Sequence, residues 1–115
     1  AKYVKECDYL GLVSANDNPD KFAKTGFTVT HSARVNAPVI NELPFAIECE
    51  LIDYDSETGT MRGRIVNVSA DESVLTDGKI DVQKLAPITF DSANNAYVVL
   101  GQTVGKAFKD GLSIK

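Results

Sequence analysis

Phe45-Ala46-Ile47-Glu48-Cys49-Glu50-Leu51-Ile52-Asp53-Tyr54 is the stretch that decides the fold class of this chain. Phe45, Ile47, Cys49 and Leu51 alternate with Ala46, Glu48, Glu50 and Ile52, the period-2 signature of a strand with one apolar and one mostly charged face. Asp55-Ser56-Glu57-Thr58-Gly59 then reverses the chain into a second extended run over residues 61–69. A long antiparallel hairpin is predicted. It would bring Arg62 and Arg64 near Glu48 and Glu50, and such exposed pairs set register more than they stabilise.

Short elements flank the hairpin. Residues 2–10 carry Tyr3, Val4, Cys7, Tyr9 and Leu10 at mostly helical spacing, with Gly11 as the expected stop. Neither Ala1 nor Lys2 is a preferred N-cap, so the helix is expected to be entered from preceding chain and this sequence to be part of a longer protein. Pro19 suits a first helical position, residues 20–24 supply one or two turns ending near Gly26, and residues 27–30 read as extended. Residues 36–44 have a proline near each end, which argues for one helical turn or an irregular connector. Single turns are expected over residues 71–75 and 81–85, short strands over 87–90 and 96–100, and a terminal helix over 104–108. The balance is mainly β with short helices.

Composition narrows the classes. With 115 residues, one domain and one core are expected, burying roughly two thirds of the unfolded chain's surface. The 43% hydrophobic and 24% charged content excludes a disordered or collagen-like chain. A net charge of −4 gives no reason to expect nucleic acid or an anionic membrane as partner, and no apolar run approaches the ~20 residues of a spanning helix. A cytoplasmic protein is expected. Cys7 and Cys49 are far apart, in no CxxC spacing, with His31 the one histidine, so a metal site is not expected and both cysteines are read as reduced, largely buried thiols.

Three motif readings fail on residue chemistry. Gly101-Gln102-Thr103-Val104-Gly105-Lys106-Ala107 has three residues between its glycines where a phosphate loop needs four, and an alanine where magnesium needs a hydroxyl. Asp53-Tyr54-Asp55-Ser56-Glu57 starts like a calcium loop but has Thr58 at the sharp bend and Arg64 at the bidentate glutamate position. His31 has no partner that the sequence positions, and reads as a hydrogen-bonded loop residue. Lys21 and Lys24, three apart, share a face able to meet an anion.

The order of these segments resembles the flavin reductase family, in particular its flavoredoxin-like members with an FMN-binding split β-barrel. The resemblance lies in residues 3–14 (Tyr3-Val4-Lys5-Glu6-Cys7-Asp8-Tyr9-Leu10-Gly11-Leu12-Val13-Ser14) and in Asp20-Lys21-Phe22 through Gly26. It continues in Asn36-Ala37-Pro38-Val39-Ile40, Glu48-Cys49-Glu50-Leu51 and Ile65-Val66-Asn67-Val68-Ser69-Ala70-Asp71-Glu72, then in Leu100-Gly101 leading to Val104-Gly105-Lys106-Ala107-Phe108. It implies that residues 1–115 are the C-terminal portion of a single split-barrel domain, here a partial barrel. The family's serine- and arginine-containing phosphate segment has no match in these residues.

The same resemblance implies a homodimer with FMN near the subunit interface, reduced by NAD(P)H or by an electron-transfer protein. No side chain here is expected to be catalytic, because the flavin carries the electrons. Ser14, Lys21 and Phe22 are the implied cofactor contacts. The parent is then an NAD(P)H-dependent flavin reductase or an electron carrier, and this portion alone is expected to be inactive. A noncatalytic split-barrel module for binding or dimerisation, without flavin, is the alternative. Another is that Cys7 acts as a redox thiol.

Overall fold

The alternation at residues 45–54 forms the longest ladder of the chain. The computed structural model describes residues 1–114. The helix α1 (Val4–Leu12) and the single turn α2 (Lys21–Lys24) precede β1 (Val29–His31) and β2 (Pro38–Ile40). The hairpin follows as β3 (Phe45–Asp55) and β4 (Thr60–Ala70), then a 3-10 turn at Glu72–Val74, β5 (Leu75–Thr76), β6 (Lys79–Ile80) and α3 (Val82–Leu85). The chain closes with β7 (Ile88–Asp91), β8 (Ala96–Val99) and a 3-10 turn at Asp110–Ser113. Among the described residues the strands pair only as β1–β2, β3–β4, β5–β6 and β7–β8, all antiparallel, so the sheet is mainly hairpins and no barrel closes.

Two bulges keep the long hairpin two-faced. Pairing passes from Glu48↔Asn67 to Cys49↔Ile65, skipping Val66, and from Leu51↔Gly63 to Asp53↔Arg62, skipping Ile52. Each inserted residue restores the alternation on its own strand, so Ile47/Val68, Cys49/Ile65 and Tyr54/Met61 share one face while Glu48/Asn67, Glu50/Arg64 and Asp53/Arg62 share the other. Arg64 meets Glu50 as expected, at 2.9 Å, but Arg62, two residues nearer the turn, pairs with Asp53, and Glu48 lies opposite Asn67. Gly59, at φ +70°, takes the left-handed position that closes the turn.

Several expectations are corrected. Residues 36–44 contain a strand, not a helical turn: Pro38 opposes His31 in a ladder with free outer edges, where a missing N–H costs nothing. Helix α1 runs through Gly11 to Leu12, and no helix forms over residues 104–108. Both thiols are exposed, Cys49 because it lies on the hairpin's apolar face, which nothing covers.

That lack of cover is general. Only Phe27 and Val74 are buried hydrophobics among the described residues. The accessible surface is 9327 Å², whereas a compact monomer of 12.4 kDa exposes about 6,100 Å². The radius of gyration is 17.5 Å, against about 13 Å for a compact chain of this length. The single self-contained core expected from length is therefore not formed. No helix among the described residues is long and apolar enough to cross a membrane.

Local chemistry still fixes the small elements. Asp81 caps α3 by accepting from the backbone N–H groups of Gln83 and Lys84, and Ala86 ends it at φ 47°. A left-handed alanine costs about 1–2 kcal/mol, and a glycine loses about 0.5–1 kcal/mol to chain entropy. Ala86→Gly is therefore expected to raise stability by about 0.5 kcal/mol. A lower midpoint in denaturant would refute this.

Candidate functional site

Helix α1 ends with carbonyls that no helical N–H can reach, and a side chain from the next element satisfies them. Lys21 Nζ donates to Leu10 O and to Val13 O, both at 2.8 Å. A cation at a helix C-terminus also complements the helix dipole. The two bonds tie the start of α2 to the end of α1 and close the intervening loop. Within it, Ser14 Oγ accepts from Asn16 N at 3.2 Å, Ser14 O accepts from Asn18 N at 3.0 Å, and Asn18 O accepts from Lys21 N at 3.0 Å. Lys24 turns away to Asp20 at 3.2 Å, so it does not join Lys21 in facing one anion.

Below the loop an aromatic cluster anchors both helices. Tyr3 meets Phe27 edge-on at 5.4 Å between ring centroids, and Phe22 lies 6.3 Å from Phe27. Thr25 Oγ1 donates to Phe22 O at 2.6 Å and accepts from Phe27 N at 3.2 Å, while Gly26 at φ +73° makes the turn between them. The three sequence-predicted contacts thus lie on one hydrogen-bonded segment, Ser14 in the loop after α1 and Lys21 and Phe22 at the start of α2. Ser14 is exposed with its hydroxyl hydrogen available, Lys21 retains one N–H beyond the two it donates, and Phe22 turns its half-buried ring towards Phe27.

Ser14 keeps a hydroxyl hydrogen and Lys21 an ammonium hydrogen free, on a backbone held by its own hydrogen bonds.

A second polar cluster was not expected from sequence. The buried Ser32 Oγ donates to Glu48, and Asn67 Nδ2 donates to the other oxygen of the same carboxylate. Ser32 Oγ also accepts from Arg34 N at 2.9 Å and Val35 N at 3.1 Å. With its proton given to Glu48 and its lone pairs occupied, Ser32 is a structural pin holding the β1–β2 loop on the hairpin. The polar face of β3 was the available signal, but its partner lies 16 residues away. His31 is no base for it: Nδ1 lies 2.8 Å from Ser32 O and Nε2 lies 3.0 Å from Asn36 Oδ1.

The hydrogen bond from Asn67, and after it that from Ser32, hold the Glu48 carboxyl below its ordinary value of 4.5. A depressed carboxylate contributes stability that is fully present above its unfolded value and lost as pH falls through the folded one. Protection factors of the Arg34 and Val35 amides, taken relative to their intrinsic exchange rates, are therefore expected to hold at neutral pH and to fall only below about 4.5. Equal protection well into acid would contradict the role of Glu48.

An apolar cleft of 500 Å³ lies between α1 and the strands, lined by Tyr3, Cys7, Pro44, Phe45, Val74 and Ile88. Tyr97 Oη crosses to α1, donating to Asp8 Oδ1 at 3.0 Å. That bond leads the causes that raise the Tyr97 phenol above its ordinary value.

Comparison with solved structures places this arrangement. Flavoredoxin of Desulfovibrio vulgaris (Miyazaki F) matches 96% of the chain with a TM-score of 0.86 and 38% identity. The chain has a flavoredoxin-like flavin reductase fold. Flavoredoxin from Methanosarcina acetivorans matches all of it, with a TM-score of 0.85 and 28% identity. Nitrilotriacetate monooxygenase component B from Bacillus cereus, at 22% identity, shares the fold over 75% of this chain and 46% of its own, with a TM-score of 0.60. The flavoredoxin-like chain spans 60% and 61% of the two flavoredoxins' own lengths. No protein-family model and no curated protein matches it.

Proposed function

We propose that the flavoredoxin-like protein to which this chain corresponds binds FMN and acts in flavin reduction or electron transfer, as a homodimer in the cytoplasm. The observation that carries the reading is the 38% identity and 0.86 TM-score to a flavoredoxin over nearly the whole chain. Support within the chain comes from the loop that holds Ser14 and Lys21.

When bound, FMN supplies the redox chemistry, passing electrons from NAD(P)H or a partner protein to an acceptor. The chain's own residues position and tune. The Ser14 hydroxyl and the remaining Lys21 N–H serve as donors to the ligand, and the Phe22 ring closes one side against water. A lysine charge near the ring system favours the ligand's more negative form by Coulomb attraction. Because Lys21 is already fixed by Leu10 O and Val13 O, it is oriented before the ligand arrives.

Anaerobic mixing of the FMN-loaded protein with NADH or NADPH tests the reading. Bleaching by either nucleotide marks a reductase, and bleaching only by a reduced partner protein marks a carrier. Failure to take up FMN at all would refute both. It would favour the module reading.

A further inference from the structure

Helix α1 carries the loop of Ser14 at its C-terminal end, and directional ties decide where that end lies. At the entry to the helix the Tyr3 ring meets Phe27 edge-on, and at its end Leu10 O and Val13 O accept from Lys21 Nζ. Between these points Asp8 Oδ1 accepts from Tyr97 Oη at 3.0 Å, across 89 residues of sequence. Among the described residues it is the one side-chain hydrogen bond that joins the body of α1 to a strand. Apolar contacts have no preferred direction, so a helix can turn or slide on them, whereas a hydrogen bond restricts both angle and length.

Tyr97 is itself held. It stands on β8 opposite Phe90 of β7, with ring centroids 5.6 Å apart, so the hairpin aims the phenol at Asp8. Asp8 lies two residues before Leu10 and five before Val13. Over about one helical turn the backbone is stiff, and a displacement of Asp8 is carried to both carbonyls. Lys21 bonds to those carbonyls, and the intervening loop closes on itself through the N–H groups of Asn16, Asn18 and Lys21. A continuous chain of hydrogen bonds and helical backbone thus runs from the β7–β8 hairpin to Ser14.

We propose that Tyr97 is a positioning residue for the segment from Ser14 to Lys21: through Asp8 it sets the rotation of α1, and with it the place of the two carbonyls that hold Lys21. The consequence for a ligand rests on the flavin reading above, while the coupling concerns this chain's own residues alone.

Tyr97→Phe removes the hydroxyl and keeps the ring against Phe90. In the protein carrying the whole flavoredoxin-like fold, without flavin, amide protection at Asn18 and Lys21 is expected to fall about 3- to 10-fold, with the β3–β4 ladder protected as in wild type. Asp8→Ala is expected to give the same loss, and Asp8→Asn, which keeps an acceptor oxygen, to retain most of the protection. The Tyr97→Phe, Asp8→Ala pair is expected to lose no more than either change alone. The FMN dissociation constant is expected to rise by a similar factor in Tyr97→Phe, but not when Tyr97→Phe is added to Lys21→Met, where the path is already cut. Unchanged protection at Asn18 and Lys21 would overturn the proposal. An equal loss of protection in the β3–β4 ladder would do the same, because it marks a general loss of stability. Local loss of protection in a protein that takes up no FMN would uphold the coupling and refute the flavin reading instead.

Discussion

Phe27→Ala is expected to lower stability by about 3–5 kcal/mol, enough to unfold the region that joins α1 and α2 to β1. Phe27 is one of two buried hydrophobics among the described residues, and it takes the Tyr3 ring edge-on while bordering Phe22. Its removal leaves a cavity that two helix ends line. With so little other core, no neighbouring layer exists to collapse into the space. Phe27→Leu retains most of the volume and is expected to cost under half as much. Denaturant unfolding followed by circular dichroism distinguishes these outcomes, and near-equal midpoints for wild type and Phe27→Ala would contradict the anchoring role.

Lys21→Met is expected to weaken FMN binding about 10- to 100-fold, the consequence of losing charge-assisted bonds that organise the loop and of losing one donor to the ligand. The methylene stem survives in methionine, so packing changes little. Leu10 O and Val13 O lose their shared donor, and the loop carrying Ser14 is released. Lys21→Arg keeps the charge but spreads its donors in a planar fork, and is expected to recover only part of the affinity. The two roles separate by readout: a purely structural lysine would lower the thermal midpoint and leave affinity unchanged when measured well below that midpoint.

Much of the hairpin was legible because period-2 alternation depends on neighbours two residues apart. The faces of β3 follow directly from Phe45, Ile47, Cys49 and Leu51. What the pattern could not show was the pair of bulges at Ile52 and Val66, since an inserted residue changes only which partner lies opposite: the bulge at Ile52 sets Arg64 against Glu50, where the register of the turn would have set it against Leu51. Pro38 signalled a connector, yet a ladder with free edges accepts a proline, and β2 formed.

Errors of a different kind came from missing surface. The spacing over residues 104–108 predicts a helix that does not form, because a pattern states which face would be buried and not what buries it. The thiols fail for the same reason: cysteine is usually buried, and Cys49 does face an apolar side, but that side is open. At the candidate site, Ser14, Lys21 and Phe22 were named through resemblance. The bonds from Lys21 to carbonyls eight and eleven residues earlier carry no local signature. Neither does the pin formed by Ser32, Glu48 and Asn67, whose members come from three separate strands or turns.

The most direct measurement is the visible absorption spectrum of the protein carrying the whole flavoredoxin-like fold, saturated with FMN and then desalted. Retained flavin bands at about one per chain, reduced in Lys21→Met, are the predicted result; a colourless wild-type protein after desalting would contradict the assignment of a flavin site to this fold.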